Sequence, residues 1–297
     1  MANFTIRQLR YFEALALHRH FGRAAEACAV SQPALSVQIK ELEAMLGTAL
    51  FERAARQVRL TAFGESFAQR VRGILRAVDE LDEFARAASG RLTGRFRLGV
   101  IPTVAPYLLP GVIRALAASH PGLDLHVRET LTPRLVQELQ LGQIDAAIVA
   151  LPLGEASLTE MPMFSEPFVL VRPLAQADAP VPRPDELRDL RLLTLEEGHC
   201  FRDQTLAYCN APPSMPRDGL DGSSLATLVQ MVGAGIGVTM IPQMAVPVET
   251  RSARVSCARL PAPEPQRTIG MVWRRSSPLA EAYAGLHAVL SGAAQPG

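Results

Sequence analysis

The chain has 297 residues, 48% of them hydrophobic and 20% charged, enough for two domains and a linker with sizeable cores. Its formal net charge of +1 excludes a molecule that binds polyanions with its whole surface, so any nucleic-acid contact has to come from a local patch. No apolar run approaches the roughly 18 residues of a membrane span and MANFTIRQLRYF has no signal-peptide pattern, which leads to the expectation of a cytoplasmic protein with no membrane partner. In that reducing setting the four cysteines are expected as free thiols; no CxxC or Cys/His spacing predicts a metal site, and no cofactor is expected.

In chain order, Thr5-Ile6-Arg7-Gln8 has the form of a capping box and starts a helix with the apolar stripe Leu9, Phe12, Leu15 and Ala16. A second, short helix runs from Phe21 to Cys28 and turns at Ala29-Val30. In SQPALSVQIKELEAMLG, Ser31 reads as an N-cap, Pro33 as a first-turn proline and Gly47 as the stop. Leu35, Ile39, Leu42 and Leu46 then face inward, leaving Gln32, Ser36, Gln38 and Lys40 outward. ALFERAARQVRLT follows, with Arg53, Arg56 and Arg59 spaced for a short hairpin or wing; residues 1–60 carry eight basic against five acidic residues, a modest local excess.

Residues 61–91 predict a long helix in which Val71, Ile74, Val78, Leu81, Ala85 and Ala88 trace a short seam that fits one face of a packed helix or, preferred because the other faces stay charged, pairing with a second copy; Gly90 and Gly94 end it. The remainder alternates strands and helices. FRLGVI, DLHVRE and DAAIVA are expected strands separated by helices through Tyr107–Ala118 and Pro133–Leu141. A second set comprises FVLVRP, RLLTL, a helix from about Ser223 to Val232, and VTMIP, before TIGMVW and a helix over 277–291 return to the first lobe. The fold class expected is an α/β effector domain of two lobes with mainly parallel sheets and a cleft for a small effector, preceded by an all-α-rich winged helix-turn-helix and a linker helix. The boundaries are 1–60, 61–92 and 93–297, with lobe I about 93–164 and 268–297 and lobe II about 165–267.

The third helix, which follows the turn at Ala29-Val30, can enter the major groove, where Gln and Ser read base edges and Lys or Arg meets phosphate. FGRAAEACAVSQPALSVQIKELEAMLGTALFER resembles the DNA-binding segment of LysR-type transcriptional regulators, and the match extends along essentially the whole chain. The resemblance implies a winged helix-turn-helix, dimerisation through the linker helix, often a homotetramer, and a periplasmic-binding-protein-like effector domain. Double-stranded operator DNA and RNA polymerase are then the expected partners. Gln32, Ser36 and Lys40 are expected on operator DNA and Arg53 on its backbone, whereas Ala54, Ala55 and Gln57 depart from the usual hydroxyl-rich, basic wing.

The segment EEGHCFRDQTLAYC places Cys200 between His199 and Phe201, two residues before Arg202 and at an expected helix N-terminus, where positive potential favours a reactive thiolate; Asp203 tempers that effect or orients Arg202. Were residues 200–209 one helix, the two α-carbons would be about 13 to 14 Å apart, roughly twice what a disulfide spans. That separation suits a conformational switch rather than a structural crosslink, while the plain alternative is two buried, inert thiols. Cys28 and Cys257 have no comparable surroundings and read as structural.

GHCFRDQTLAYC, with IPTVAPYLLP, is similar to the redox segment of the hydrogen-peroxide-sensing OxyR branch of the LysR-type family. The resemblance implies that Cys200 is peroxidatic and Cys209 resolving, that Thr103, Thr132, His199, Arg202 and Asp203 surround the peroxide, and that a thiol reductant such as glutaredoxin or thioredoxin resets the disulfide. Thr132 before Pro133 also reads as a helix cap, and Thr103 as a loop or cap residue. The expected function is thus a transcriptional activator of oxidative-stress genes and not an enzyme. Two alternatives stay open: a LysR-type regulator of a small metabolite in the inter-lobe cleft, and a thiol peroxidase that turns over at Cys200.

Overall fold

The computed structural model describes residues 4–54, 57–88, 92–210 and 221–294. The chain divides into two compact units, 1–85 and 86–297.

The first unit contains α1 (Ile6–His18), α2 (Phe21–Ala27), α3 (Gln32–Leu46), the strands β1 (Phe51–Ala54) and β2 (Gln57–Leu60), and α4 (Ala62–Ala88). The capping box forms: Thr5 Oγ1 accepts from the Gln8 amide at 3.2 Å and Gln8 Oε1 accepts from the Thr5 amide at 2.9 Å. Helix α2 is capped by a ring instead, His20 Nδ1 accepting from the Gly22 and Arg23 amides at 3.1 and 3.3 Å. Ser31 caps α3 through the Ala34 amide at 3.4 Å, and Gly47 ends it at φ +67°. Strands β1 and β2 pair antiparallel as the expected wing, Phe51 opposite Leu60 and Ala54 opposite Gln57.

Leu9, Phe12, Leu15, Leu35, Ile39 and Leu42 bury together with Leu50, Val71 and Leu75. The Phe12 ring lies 5.4 Å from Phe51 and 5.1 Å from Phe67. This packing divides the seam expected on α4. Val71 is consumed by the core of its own unit, whereas Ile74, Leu81 and Phe84 remain 42%, 68% and 66% exposed. The start of α4 is part of this small domain, so its inward stripe of Ala68, Val71 and Leu75 joins the core with α1 and α3. Ala88 lies outside the described side chains.

The second unit runs β3 (Gly94–Val100), α5 (Ala105–Ser119), β4 (Leu123–Glu129), α6 (Thr132–Gln140), β5 (Ala146–Leu151), β6 (Leu158–Pro173), α7 (Pro184–Asp189), β7 (Leu192–Leu193) and α8 (Cys200–Tyr208). It continues through α9 (Leu225–Gly233), β8 (Val238–Pro242), α10 (Val246–Glu249), β9 (Val255–Arg259), β10 (Gln266–Arg274) and α11 (Ala280–Ala293). The sheet order is β4-β3-β5-β10-β6-β8-β7, with β9 also on β6. The parallel pairs arising from βαβ units are β3 with β4 and β5, and β7 with β8. The pairs that join the lobes are antiparallel: β10 with β5 and β6, and β6 with β8 and β9.

Strand β6 is the crossing element. Residues 158–167 pair with β10 beside the first core, and Phe168–Val171 pair with β8 beside the second. The sequence revealed only its apolar end, FVLVRP, because Pro162, Glu166 and Pro167 break the pattern of a buried strand. A register shift at Ile269/Gly270, opposite Phe164 and Pro162, absorbs one of those prolines. One core gathers Phe96, Leu98, Ile148, Trp273 and Tyr283, the other Phe168, Phe201, Cys209, Leu228 and Met240.

Candidate functional site

Helix α8 starts abruptly. Gly198 adopts φ +93°, His199 is extended with no side-chain capping bond, and Cys200 is the first helical residue. Its thiol therefore sits at a helix N-terminus, where amides lack intrahelical acceptors and the potential is positive. A β-carbon at position 198 would lie 2.9 Å from Leu131 Cδ1, so this turn requires glycine twice over, by φ and by close approach.

Both cysteines of the segment are thiols, in different surroundings. Cys200 is half-buried against the first core, whereas Cys209, the residue that ends α8, is fully buried in the second. With α8 intact, about nine rises of about 1.5 Å separate their α-carbons, well beyond disulfide range.

A narrow pocket lies over Cys200, lined by Ile101, Pro102 and Thr103 after β3, Leu131 and Thr132 at the start of α6, and Gly198 to Phe201. Thr103, Thr132, His199 and Cys200 are thus brought together. Thr132 is not a cap: Leu131 occupies that position, Thr132 is the first helical residue, and its buried Oγ1 has no hydrogen-bond partner among the described residues. A buried hydroxyl without a partner is costly, and a small polar guest in this pocket would relieve the cost. Thr103 is 3% exposed, and its Oγ1 accepts from Arg267 Nη1 at 2.8 Å, which leaves its own O–H free to donate.

Arg202 and Asp203 do not join them. Arg202, two residues after Cys200, projects to another side of the helix, where its Nη1 lies 3.5 Å from Asp221 Oδ2. Asp203 is exposed in the first turn of α8. The expected cationic partners of Cys200 change accordingly. Burial holds the His199 pKa below its ordinary value against the pull of Glu196, so the imidazole is neutral at pH 7.

The cation at the site is Arg267, which the sequence reading missed. Its side chain is fully buried on β10 and lies beneath Phe201, the guanidinium carbon 5.4 Å from the ring centroid. Nη2 donates to the Thr103 carbonyl at 3.0 Å, and Nε and Nη2 donate to Glu166 Oε1 at 2.9 and 2.8 Å. The expected strand began at Thr268, which left Arg267 in a loop. The available signal was its inward place in the alternation of TIGMVW once the strand is extended by two residues.

On the surface of α3, Gln32 and Lys40 are exposed and Ser36 half-exposed, four residues apart on one face. Gln38 is engaged instead with Glu41, at 2.7 Å. The backbone of Arg53 pairs with Val58 in the wing; its side chain, and Ala55 and Arg56, lie outside the described residues. Cys28 ends α2, half-buried, with burial pushing its thiol pKa up, and Cys257 is exposed on β9.

Two family profiles match the chain, the bacterial regulatory helix-turn-helix of the lysR family over residues 6–65 and the LysR substrate binding domain over 89–295. The chain belongs to the LysR family, in its OxyR branch. A relative from Streptomyces viridosporus named as a probable hydrogen peroxide-inducible genes activator is 44% identical over 291 residues, 96% of this chain and 93% of the relative. Among solved structures, a cysteine-to-aspartate variant of full-length OxyR from Pseudomonas aeruginosa is 37% identical with a TM-score of 0.76, covering 97% of this chain and 95% of its own. A hydrogen-peroxide-bound cysteine-to-serine OxyR from Corynebacterium glutamicum is 35% identical with a TM-score of 0.65, covering 97% and 92%. Within this LysR-family chain, no helix among the described residues is long and apolar enough to cross a membrane.

Proposed function

We propose that this LysR-family chain senses hydrogen peroxide through reversible formation of a Cys200–Cys209 disulfide and thereby controls transcription of oxidative-stress genes. The observation that carries the reading is the pocket over Cys200: a thiol at a helix N-terminus shares it with Thr103, whose Oγ1 accepts from Arg267 and keeps its O–H to donate, and Thr132, whose buried hydroxyl has no partner among the described residues. A molecule of two oxygens that donates and accepts hydrogen bonds suits those groups, and a relative in the same branch is recorded with hydrogen peroxide bound.

In the first step the Cys200 thiolate attacks one peroxide oxygen. The S–O bond forms, the O–O bond breaks, and the departing hydroxide takes up a proton to leave as water. Thr103, Thr132 and the Arg267 guanidinium stabilise the charge that develops on the leaving oxygen, while His199 acts as a neutral donor or acceptor. In the second step the Cys209 thiolate attacks the sulfenic sulfur and a second water departs. Peroxide is reduced by two electrons and the two thiols are oxidised. Because α8 must unwind to join them, the chemistry repacks the segment between the two cores. A thiol reductant such as glutaredoxin or thioredoxin returns the dithiol, so the protein stores a signal and is not an enzyme.

The same reading assigns residues 1–60 to operator binding, 61–92 to pairing of copies and 93–297 to sensing. Gln32, Ser36 and Lys40 meet base edges or phosphate and Arg53 meets the backbone of double-stranded DNA. The exposed Ile74, Leu81 and Phe84 of α4 suit a homodimer or homotetramer in the cytoplasm that presents paired reading heads and contacts RNA polymerase as an activator.

The test is non-reducing peptide mapping of the fully reduced protein after one equivalent of hydrogen peroxide. A rapidly formed Cys200–Cys209 linkage, absent in Cys200→Ser, is expected. Unmodified thiols at these two positions, with peroxide consumed elsewhere or not at all, would overturn the switch.

A further inference from the structure

Glu166 lies on β6 where that strand passes from one core to the other, paired in register with Arg267, and it is 5% exposed. Oε1 accepts from two nitrogens of Arg267 at once, and Oε2 accepts from the Met244 amide at 2.9 Å. A guanidinium has five N–H bonds. Nε and one N–H of Nη2 go to Glu166, the other Nη2 proton goes to the Thr103 carbonyl, and one Nη1 proton goes to Thr103 Oγ1. The remaining Nη1 proton has no oxygen or nitrogen acceptor among the described residues. It is carried by the same nitrogen that serves the pocket hydroxyl, at a site where negative charge must develop.

We infer that Glu166 is a positioning residue for the peroxide reaction, clamping the Nε edge of Arg267 so that Nη1 is held for Thr103 and for the leaving oxygen. The inference rests on the reading of the Cys200 pocket given above. The clamp follows from geometry: one carboxylate oxygen that takes both Nε and Nη2 fixes the guanidinium plane, and the Met244 amide prevents the carboxylate from swinging. The charge has a second consequence. Glu166 makes burial of the arginine tolerable, yet it also offsets the positive potential felt at the sulfur. Reach and charge can therefore be separated. Glu166→Asp keeps the charge and shortens the reach; Glu166→Gln keeps an oxygen for Arg267 and removes the charge.

The experiment uses the full chain in a Cys209→Ser background, so that the first step is isolated, and compares two probes of Cys200. Hydrogen peroxide needs a stabilised leaving oxygen, whereas iodoacetamide reports only thiolate and access. For Glu166→Asp, the peroxide rate is expected to fall about 10²-fold, the cost of misplacing a stabilising group by about 1 Å, with the iodoacetamide rate nearly unchanged. For Glu166→Gln, the pH midpoint of iodoacetamide reactivity is expected to move down, because a negative charge near the thiolate is gone. A structural role alone would lower the unfolding temperature and leave both profiles as in the parent, and that outcome overturns the inference. Should Glu166→Asp fail to fold, an unmoved pH midpoint in Glu166→Gln overturns it by itself. If the Cys209→Ser parent reacts with peroxide no faster at Cys200 than at Cys28 or Cys257, the failure belongs to the site reading and not to Glu166.

Discussion

Helices α3 and α8 both follow a residue in extended backbone and both carry residues to which function is assigned, but they are held in opposite ways. In α3 a serine caps the first turn, a glycine ends the last, and the inward positions Leu35, Ile39 and Leu42 are purely apolar. Helix α8 has no side-chain cap, and its buried face mixes Phe201 and Leu206 with Arg202 and Thr205. Three buried polar atoms on it, Gln204 Oε1, Thr205 Oγ1 and the Tyr208 hydroxyl, have no hydrogen-bond partner among the described residues. Each such orphan costs about 1–3 kcal/mol, set against a whole-domain stability of about 5–15 kcal/mol. A reading helix has to present one rigid face to DNA. On the proposed switch, α8 has to come apart, because its two thiols would meet only when it unwinds, and its orphaned groups lower the free energy of that opening.

The comparison breaks most visibly in α3. Leu42→Ala empties a fully buried position in the small domain and is expected to cost about 2–5 kcal/mol, measured by urea unfolding of the reduced protein with a probe in residues 1–85. A loss below about 1 kcal/mol would mean that α3 is held as loosely as α8. In α8 the matching experiment goes the other way. Thr205→Val keeps the shape and deletes an orphaned hydroxyl, so the reduced helix gains about 1–2 kcal/mol and the step from sulfenic acid to disulfide slows about 5–30-fold. Rapid-quench mapping after peroxide reads that rate directly, and an unchanged value would show that opening of α8 does not limit closure of the disulfide.

The same contrast explains what was legible in the sequence. Where local and global signals agree, as in the Thr5–Gln8 capping box, the Ser31 and Gly47 ends of α3 and the strand VTMIP, the elements stand where the pattern put them. The cysteine spacing and the helix starting at Cys200 were legible for the same reason. The charges of the site were not. A buried cation is visible only once its strand, its carboxylate and its register are known, and Arg267 meets Glu166 across 101 positions of sequence. Neighbours in sequence proved poor guides to neighbours in space: Arg202 turns away to Asp221, while Thr132 gives up the capping role that Thr-Pro suggests and keeps its hydroxyl in the pocket. On α4, periodicity says which residues share a face and not which partner covers it: Val71 goes to the core of its own unit, while Ile74 and Leu81 stay exposed.

The smallest expected effect concerns His199 and has a definite sign. Its pKa in the folded chain lies below the ordinary value of 6.5 because burial penalises the charged imidazolium. The unfolded chain therefore binds more protons as pH drops, so the stabilising contribution is complete above pH 6.5 and is lost progressively as pH falls from there toward the folded pKa. His199→Gln, which has no titrating group, should remove that part of the acid sensitivity of α8, read as amide exchange in residues 200–208 at pH 7.5 and at pH 5.5. Because the imidazole is already neutral at the higher pH, the peroxide rate there should change by less than about tenfold, the scale of a single neutral hydrogen bond. A much larger loss at pH 7.5, recovered neither by acid nor by base, would place His199 in direct contact with the reacting oxygens and make it as much a part of the proposed peroxide site as the two threonines.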